Sequence, residues 1–450
     1  MPDEFLRLPA TPARWIRTRM RILAIAAVSG LVICLIGPPA PAAAATAPTD
    51  LGTLPGGHDS RAAAISSASP GLIVGVSELT GGQTHAVVWR PVAGGGYGTP
   101  LDLGALENDS DATAINAAGI VAGHSITSAD DLHAVVWTPA GTGYNRPLDL
   151  GTLLGGSTSS ATGVNAGGVV SGSSEALGGT THATAWKPGL LGGYAGAVDL
   201  GVLAGGHTSI ASSVDDAGNV AGVADTGGKT HAVVWKPTST GYKPPIDLGT
   251  LPSGNLSVAL EIDTSTIAGY AETGTGTVHA VVWKSTATGY TSAIDLGTLP
   301  NGGTSAANGI NSAGAVVGTA ELADGDLHTV MWMRDGSGNY GTPTDLRTLA
   351  GGMGSAGSSI NSVGRIAGGS ETSAHTTHAA VWSESTTPLA VNRIALMSAD
   401  VDRPASPIDG GVTVPVNVGN NAYGTPYGQK NLPSVDRTIS TDQVTGVLPS

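Results

Sequence analysis

The 450-residue chain has one cysteine, Cys34, and one phenylalanine, Phe5. With no pair of cysteines to oxidise, a disulfide framework is excluded, and packing must hold the fold. Cations are scarce as well: 20 Lys+Arg stand against 34 Asp+Glu, a formal charge of −14. The broad cationic surface that phosphate backbones require is missing, which argues against a nucleic-acid partner. The longest apolar run, residues 22–36, is short for a bilayer span. Gly-x-Ser-x-Gly, His-Glu-x-x-His and phosphate-loop motifs are absent, so no standard catalytic signature is present. What abounds is turn chemistry. The 68 glycines and 27 prolines are spread through the chain without a three-residue period, which excludes collagen and argues for many short strands over a helical bundle.

The first residues differ in kind from the rest. Arg7, Arg14, Arg17, Arg19 and Arg21 precede the apolar run, and a small-residue stretch at 39–47 follows it. This pattern predicts a secretory signal peptide over 1–45, cut near Ala45 or Ala47, and hence a secreted or cell-surface protein with no membrane span after cleavage. Removing that segment takes away five arginines and the two acids Asp3 and Glu4, leaving 15 bases against 32 acids.

An internal repeat dominates the remainder. The tag His-x-x-x-Trp occurs at His85/Trp89, His133/Trp137, His182/Trp186, His231/Trp235, His279/Trp283, His328/Trp332 and His378/Trp382, with successive histidines 48 to 50 residues apart. Asp-Leu recurs in the same rhythm at Asp50, Asp102, Asp149, Asp199, Asp247, Asp295 and Asp345. Within one repeat the hydrophobic period is two. Segments 306–311, 315–321, 328–333 and 344–349 read as strands A, B, C and D, with the turn Asn311-Ser312-Ala313-Gly314 joining the first two. The third, β-branched and too short for a helix, places His, Val and Trp on one face.

Four short antiparallel strands repeated seven times predict an all-β fold, a seven-bladed β-propeller over 46–383, with a weakly structured extension at 384–450. A β-solenoid is the alternative, although a period near 49 is long for one coil. The first Asp-Leu-Gly-Thr-Leu precedes the first A strand and none follows Trp382, so the N-terminal segment is expected to close the ring as the last blade's D strand. In the extension, 412–419 could form one strand, restricted to an edge by Pro415.

The ordered set Asp-Leu-Gly-Thr-Leu, Ile-Asn-x-x-Gly-x-Val-Val-Gly (310–318) and His-Ala resembles the extracellular HAF repeat of bacteria. Here the tag's third residue is usually Val where the family has Phe, so Trp two positions later takes the aromatic role. The resemblance implies a secreted or surface protein with a propeller-like fold, and it transfers no activity and no catalytic residue.

Polar residues present in every copy point to structure. An acid three residues after the B-strand glycine (Glu78, Glu175, Asp225, Glu272, Glu321, Glu371) is expected to meet the tag histidine across the B–C hairpin in a Glu/His/Asp network. Function is sought where copies differ. The D–A loops concentrate polarity on blades 1 and 2, making His58, Asp59, Arg61, Glu107, Asp109, Asp111 and, on blade 4, His207 the candidate ligand-binding residues. Glu107, Asp109 and Asp111 alternate and would suit Ca²⁺ if they converged, yet no Asp-x-Asp-x-Asp-Gly loop is present. No metal or other cofactor is assigned.

Along the A strands Glu261 replaces Ala64, Ala114, Gly163, Ser213, Gly309 and Ser359. With Asp111 across the ring it could form a glycosidase-like pair. The expected function is a monomeric binding scaffold for extracellular glycan or a protein partner, with a glycan hydrolase or lyase using Glu261 and Asp111 as the alternative. A purely structural envelope role is the third reading.

Overall fold

The computed structural model describes residues 47–189 and 193–383. The expected leader at 1–45 and the extension at 384–450, with its 412–419 segment, lie outside the described residues. Among these residues there are strands and turns but no helix, hence none long and apolar enough to cross a membrane.

The strands form seven antiparallel blade sheets, one per repeat, and a separate two-stranded hairpin, Pro139–Ala140 with Gly143–Tyr144. Blade 1 comprises A (Ser60–Ile65), B (Ile73–Glu78), C (Thr84–Trp89) and D (Leu101–Asp102). Blades 2 to 7 open with the A strands Ser110–Ile115, Ser159–Val164, Ser209–Val214, Ser257–Asp263, Ser305–Ile310 and Ser355–Ile360. Each A strand packs against the A strands on either side, and that of blade 1 touches both blade 2 and blade 7. The chain is therefore a closed seven-bladed β-propeller. In the last sheet the order is Thr49–Asp50, Thr377–Trp382, Ile366–Glu371, Ser355–Ile360, with Thr49 opposite Val381 and Asp50 opposite Ala380. The N-terminal segment supplies strand D of blade 7.

Both faces of each blade are apolar because both are covered. Val87 and Trp89 join Leu51, Leu54, Ala379 and Val381 of blade 7 in one cluster, while Ala86 and Val88 join Val135 and Trp137 of blade 2 in the next. Alternation along the strand thus sends successive side chains to opposite neighbours.

The tag tryptophans are core and closed to any ligand. Trp89, Trp137, Trp186, Trp235, Trp283 and Trp332 are wholly inaccessible, and Trp382 is 2% exposed. Their indole N–H groups are not served alike. Trp89 Nε1 donates to Leu51 O of the preceding blade at 2.9 Å, Trp332 Nε1 to Leu296 O at 2.8 Å and Trp382 Nε1 to Leu346 O at 3.1 Å. The same groups of Trp186, Trp235 and Trp283 are buried with no acceptor among the described residues. Burial of the ring is thus common to all seven copies, and the hydrogen bond is not. Serine hydroxyls stitch the same boundaries. Ser110 Oγ accepts from Ala86 N–H at 2.9 Å and donates to Gly104 O at 3.0 Å, and Ser60 does the same for blade 7 through Ala379 N–H and Gly52 O.

A β-bulge interrupts every A strand after its third residue, as between Ala62 and Ala64 and between Ala259 and Glu261. The bulge bends the innermost strand and adds twist. It also explains the recurrent B-strand glycine: a Cβ on Gly75 would stand 2.0 Å from Arg61 O, and one on Gly318 1.9 Å from Ala306 O.

The D strands are shorter than expected. Blade 6 pairs only at Thr344–Asp345, because Asp345 Oδ1 accepts the N–H of Arg347 at 2.7 Å and turns the chain away. Arg347 then adopts φ +65°, where Gly52, Gly104 and Gly151 lie at +68° to +70°. Among the described residues no atom lies within 4 Å of where a Cβ would stand on those glycines, so the cost at Arg347 is one of backbone conformation. Arg347→Gly is expected to stabilise the fold by about 0.5–1 kcal/mol. A lowered midpoint in thermal or urea unfolding would contradict that assignment.

Candidate functional site

Most of the repeated polar residues are engaged in the frame. The tag histidine pairs with the aspartate of its own blade's D strand: His85 Nδ1 lies 2.9 Å from Asp102 and His231 Nδ1 2.8 Å from Asp247. His133, His182, His279 and His328 pair in the same way with Asp149, Asp199, Asp295 and Asp345. At the ring closure His378 Nδ1 lies 2.8 Å from Asp50. Hydrogen bonding to Asp102 and Asp345 raises the basicity of His85 and His328. The same bonds, opposed by burial, leave both aspartates below the usual carboxylate range.

The B-strand acid does not join this pair. In the B–C ladder Ser77 stands opposite His85 and Glu78 opposite Thr84. Residues directly opposed share a face while neighbours along the strand do not, so Glu78 and His85 point to opposite sides of the sheet. Glu78 Oε2 instead accepts the loop N–H groups of His58 and Asp59 at 2.9 and 3.3 Å. Glu272 does likewise for Asn255 at 2.8 Å, and Asp225 for His207 and Thr208 at 2.7 and 2.6 Å. The acid is a clamp on the D–A loop.

The loop candidates divide. Asp59 Oδ1 accepts Thr377 N–H at 2.8 Å and Asp109 Oδ1 accepts Thr84 N–H at 2.7 Å, each tying its loop to the preceding blade. His58, Glu107 and His207 are exposed, and His207 stands on the loop entering blade 4, away from blades 1 and 2. Among the described residues no three His, Cys, Asp or Glu side chains converge on a common point as metal ligands would. Asp109 turns to Thr84 and Asp111 to Arg61, so the alternating trio does not converge.

Arg61 and Asp111 are brought together. Arg61 Nη2 lies 3.2 Å from Asp111 Oδ2 across the boundary of blades 1 and 2, with side-chain exposures of 31% and 19%. The other carboxylate oxygen, Asp111 Oδ1, is buried without a hydrogen-bond partner among the described residues. Both are second residues of their A strands, at the end where the D–A loops enter. Opposite Asp111 in the ladder stands His124, a residue not singled out from the sequence. Its Nδ1 lies 3.3 Å from Ser160 Oγ of blade 3. Burial and Arg61 weaken its basicity and Asp111 restores part of it, with burial dominant, so the ring is neutral near pH 7. The corresponding pairs elsewhere are Ile210/Val223, Val258/Tyr270, Ala306/Thr319 and Ala356/Gly369. One sector of the ring, blades 1 to 3, therefore carries a guanidinium fork, a half-satisfied carboxylate, a neutral imidazole and a hydroxyl. Such a set can recognise hydroxyls or a polar peptide group by directed hydrogen bonds.

Glu261 belongs to another group. It lies past the bulge, nearer the A–B turns, and accepts Ser213 Oγ–H of blade 4 at 2.9 Å. Burial, reinforced by Asp263, pushes its carboxyl up to about 7. Asp263 is itself raised by burial and by Asp215 and Asp216. Asp111 and Glu261 sit on blades 2 and 5, on opposite sides of the bulge, each held by a different neighbour. The structure does not assemble them into one constellation.

This acidic group also interrupts the turn stitching. Asn116 Nδ2 donates to Asn165 O, and Asn165 Nδ2 to Asp215 O, each at 2.9 Å. Asp215 has no side-chain N–H to pass on, and its carboxylate accepts from Asn219.

No family model matches the chain, and no curated protein does. Among solved structures, the BP39L lectin of Burkholderia pseudomallei aligns at 10% identity and a TM-score of 0.38, covering 74% of this chain and 98% of that one. The Trypanosoma rangeli sialidase in complex with the inhibitor DANA aligns at 13% identity and a TM-score of 0.34, covering 76% of this chain and 57% of that one. The propeller architecture rests on the seven sheets themselves.

Proposed function

We propose that the chain is an extracellular binding scaffold whose blade 1–3 sector takes a glycan or a protein partner. The observation that carries this reading is the Arg61–Asp111 pair, partly exposed and with one carboxylate oxygen unpaired. The Arg61 guanidinium, 31% exposed, presents N–H groups that a ligand oxygen can reach, and the buried Asp111 Oδ1 becomes available to a ligand hydroxyl or amide N–H once the pair shifts. The expected leader and the HAF-like repeats support the extracellular placement, and the even distribution of structural residues around the ring supports a scaffold that acts as a monomer.

A glycan-array screen of the purified chain, with and without Ca²⁺ and reading product release in the same wells, tests this. Saturable binding is expected, weakened roughly tenfold or more by Asp111→Ala and by Arg61→Ala. Binding that survives both substitutions unchanged sinks the assignment. Glu261 favours the alternative of glycan cleavage, since a carboxyl near 7 suits a general acid. Product release abolished by Glu261→Gln would establish that reading.

A further inference from the structure

The face of the ring opposite the Arg61–Asp111 sector carries the A–B turns and a repeated aromatic cradle. Each of blades 1 to 6 sets a tyrosine there, and Tyr194 Oη, for example, donates to Gly168 O of its own A–B turn at 2.8 Å. At most boundaries the residue after the preceding blade's tag tryptophan reaches over that ring. Arg90 lies 5.8 Å from the Tyr144 centroid, Lys187 5.2 Å from Tyr242, Lys236 5.5 Å from Tyr290 and Lys284 5.6 Å from Tyr340. At the ring closure Tyr97 has the Arg365 guanidinium as its partner. The fold thus covers four of the six rings with a cation on an apolar stem, an arrangement favoured by the quadrupole of the aromatic face, while at Tyr97 the cation serves the hydroxyl.

Tyr194 is the exception. The residue after Trp137 is Thr138, and among the described residues no cation lies over the Tyr194 ring. Burial raises the pKa of its hydroxyl. The missing side chain coincides with a cavity of about 400 Å³, lined by Ile120, Thr138, Leu148, Pro188 and Tyr194 beside the Gly168 turn. Leu148 is left 43% exposed at its edge. Arg146, two residues before Leu148, is exposed and does not lie over the ring.

We infer that the Tyr194 cavity is a binding site for an organic cation on an apolar stem, an alkylammonium of the size of a lysine side chain. The walls are mostly apolar, as an alkyl stem requires, and the π face takes the charge that Lys187, Lys236 and Lys284 supply to the other rings. The acidic chain, at −14, adds a long-range attraction for cations. This site is separate from the blade 1–3 sector and stands whether or not that sector binds a ligand.

The test titrates the purified chain with n-butylammonium, with N-acetyl-lysine methylamide and with n-butanol, following saturation by ligand-observed NMR. Saturable binding of n-butylammonium is expected, with n-butanol roughly five- to tenfold weaker. Thr138→Lys, which restores the residue found after Trp186, Trp235 and Trp283, should abolish binding by filling the cradle. Tyr194→Phe should retain it, since the ring remains. Binding of the lysine amide as well identifies a polypeptide side chain as the source, and binding of n-butylammonium alone identifies a free amine. Equal affinity for alcohol and amine, no saturable binding of either amine, or undiminished binding by folded Thr138→Lys would overturn the inference.

Discussion

Leu51→Ala combined with Leu54→Ala is expected to cost about 4–8 kcal/mol and to open the ring. Both leucines are nearly inaccessible, at 6% and 4%, and they pack with Trp89 of blade 1 and Val381 of blade 7. The Thr49–Asp50 strand preceding them is the one D strand that reaches its sheet from the far end of the chain. Its attachment is otherwise thin: two ladder positions, the Asp50–His378 pair and the bond from Leu51 N to Ala379 O at 2.9 Å. The matched control is Leu248→Ala with Leu251→Ala, equally buried at 6% each, at a boundary where strand D follows strand C directly in the chain. The closure mutant should lose more stability in urea and acquire protease sensitivity at both ends of the described region. Equal losses in the two double mutants would mean that closure at this boundary has no special weight.

The second expectation concerns pH. Glu261, up at about 7 in the folded chain against an ordinary 4.5, keeps its proton between those values while the unfolded chain has released it. The folded state binds more protons across that window, so stability falls as pH rises from about 4.5 to 7 and levels off above. His85 and His328 act in the same direction: their raised values contribute stability that is complete below about 6.5 and is lost as pH climbs through the folded values. Asp102, Asp295 and Asp345 act in the opposite sense. Their contribution is present above about 4 and disappears as pH falls through their lowered values. His124, whose basicity burial lowers, acts with the aspartates, its contribution rising as pH climbs toward about 6.5, so the melting temperature should peak between about pH 5 and 6.5. Glu261→Gln keeps an acceptor for Ser213 while removing the charge. It is expected to stabilise the chain by about 2 kcal/mol at pH 8 and by little at pH 5, the full linkage value being reduced because the side chain is partly exposed. Wild-type and variant curves that run parallel from pH 5 to 8 would remove Glu261 from the account.

The blades, their number and their closure were legible because each repeat states them in residue types whose physics is local. Asp-Leu-Gly turns the chain, a β-branched run ending in Trp extends it, and Asn-x-x-Gly reverses it. The A-strand bulge was not legible, since it adds one residue of unremarkable type, such as Ala63 or Thr113, and leaves the two-residue pattern intact on either side. Nor could the repeat tell that the indole N–H finds an acceptor at Trp89 and none among the described residues at Trp283, because both tags read His-Ala-Val-Val-Trp and the acceptor is a backbone carbonyl of the neighbour. The role of Glu78 was misread for a related reason: sequence spacing brought it near His85, whereas pairing register decides which face each side chain takes. His124 was overlooked although a signal existed. It follows Gly123 at a B-strand position held elsewhere by Val76, Ser173, Val223, Tyr270, Thr319 and Gly369. Among these it is the one imidazole, a difference between copies that marks the position as the loops and A strands mark theirs. The absence of a cation over Tyr194 could likewise be read from the residues that follow the tag tryptophans.

Ring closure also sets an order in time. Asp50 leaves the ribosome 328 residues ahead of its partner His378, which at 5–20 residues per second is roughly 15 to 65 s. For that interval strand D of blade 7 exists without strand C to pair with, and the outward face of blade 1, including Trp89, lacks the cover of Ala367, Ala379 and Val381. Blades 1 to 6 can each complete their own four strands as they emerge, whereas the seventh waits for both ends of the chain. The nascent protein is therefore an open arc with an apolar surface at each end, and the interval before closure is when its Leu51–Leu54 segment is most available to a chaperone or to a second chain's blade 7.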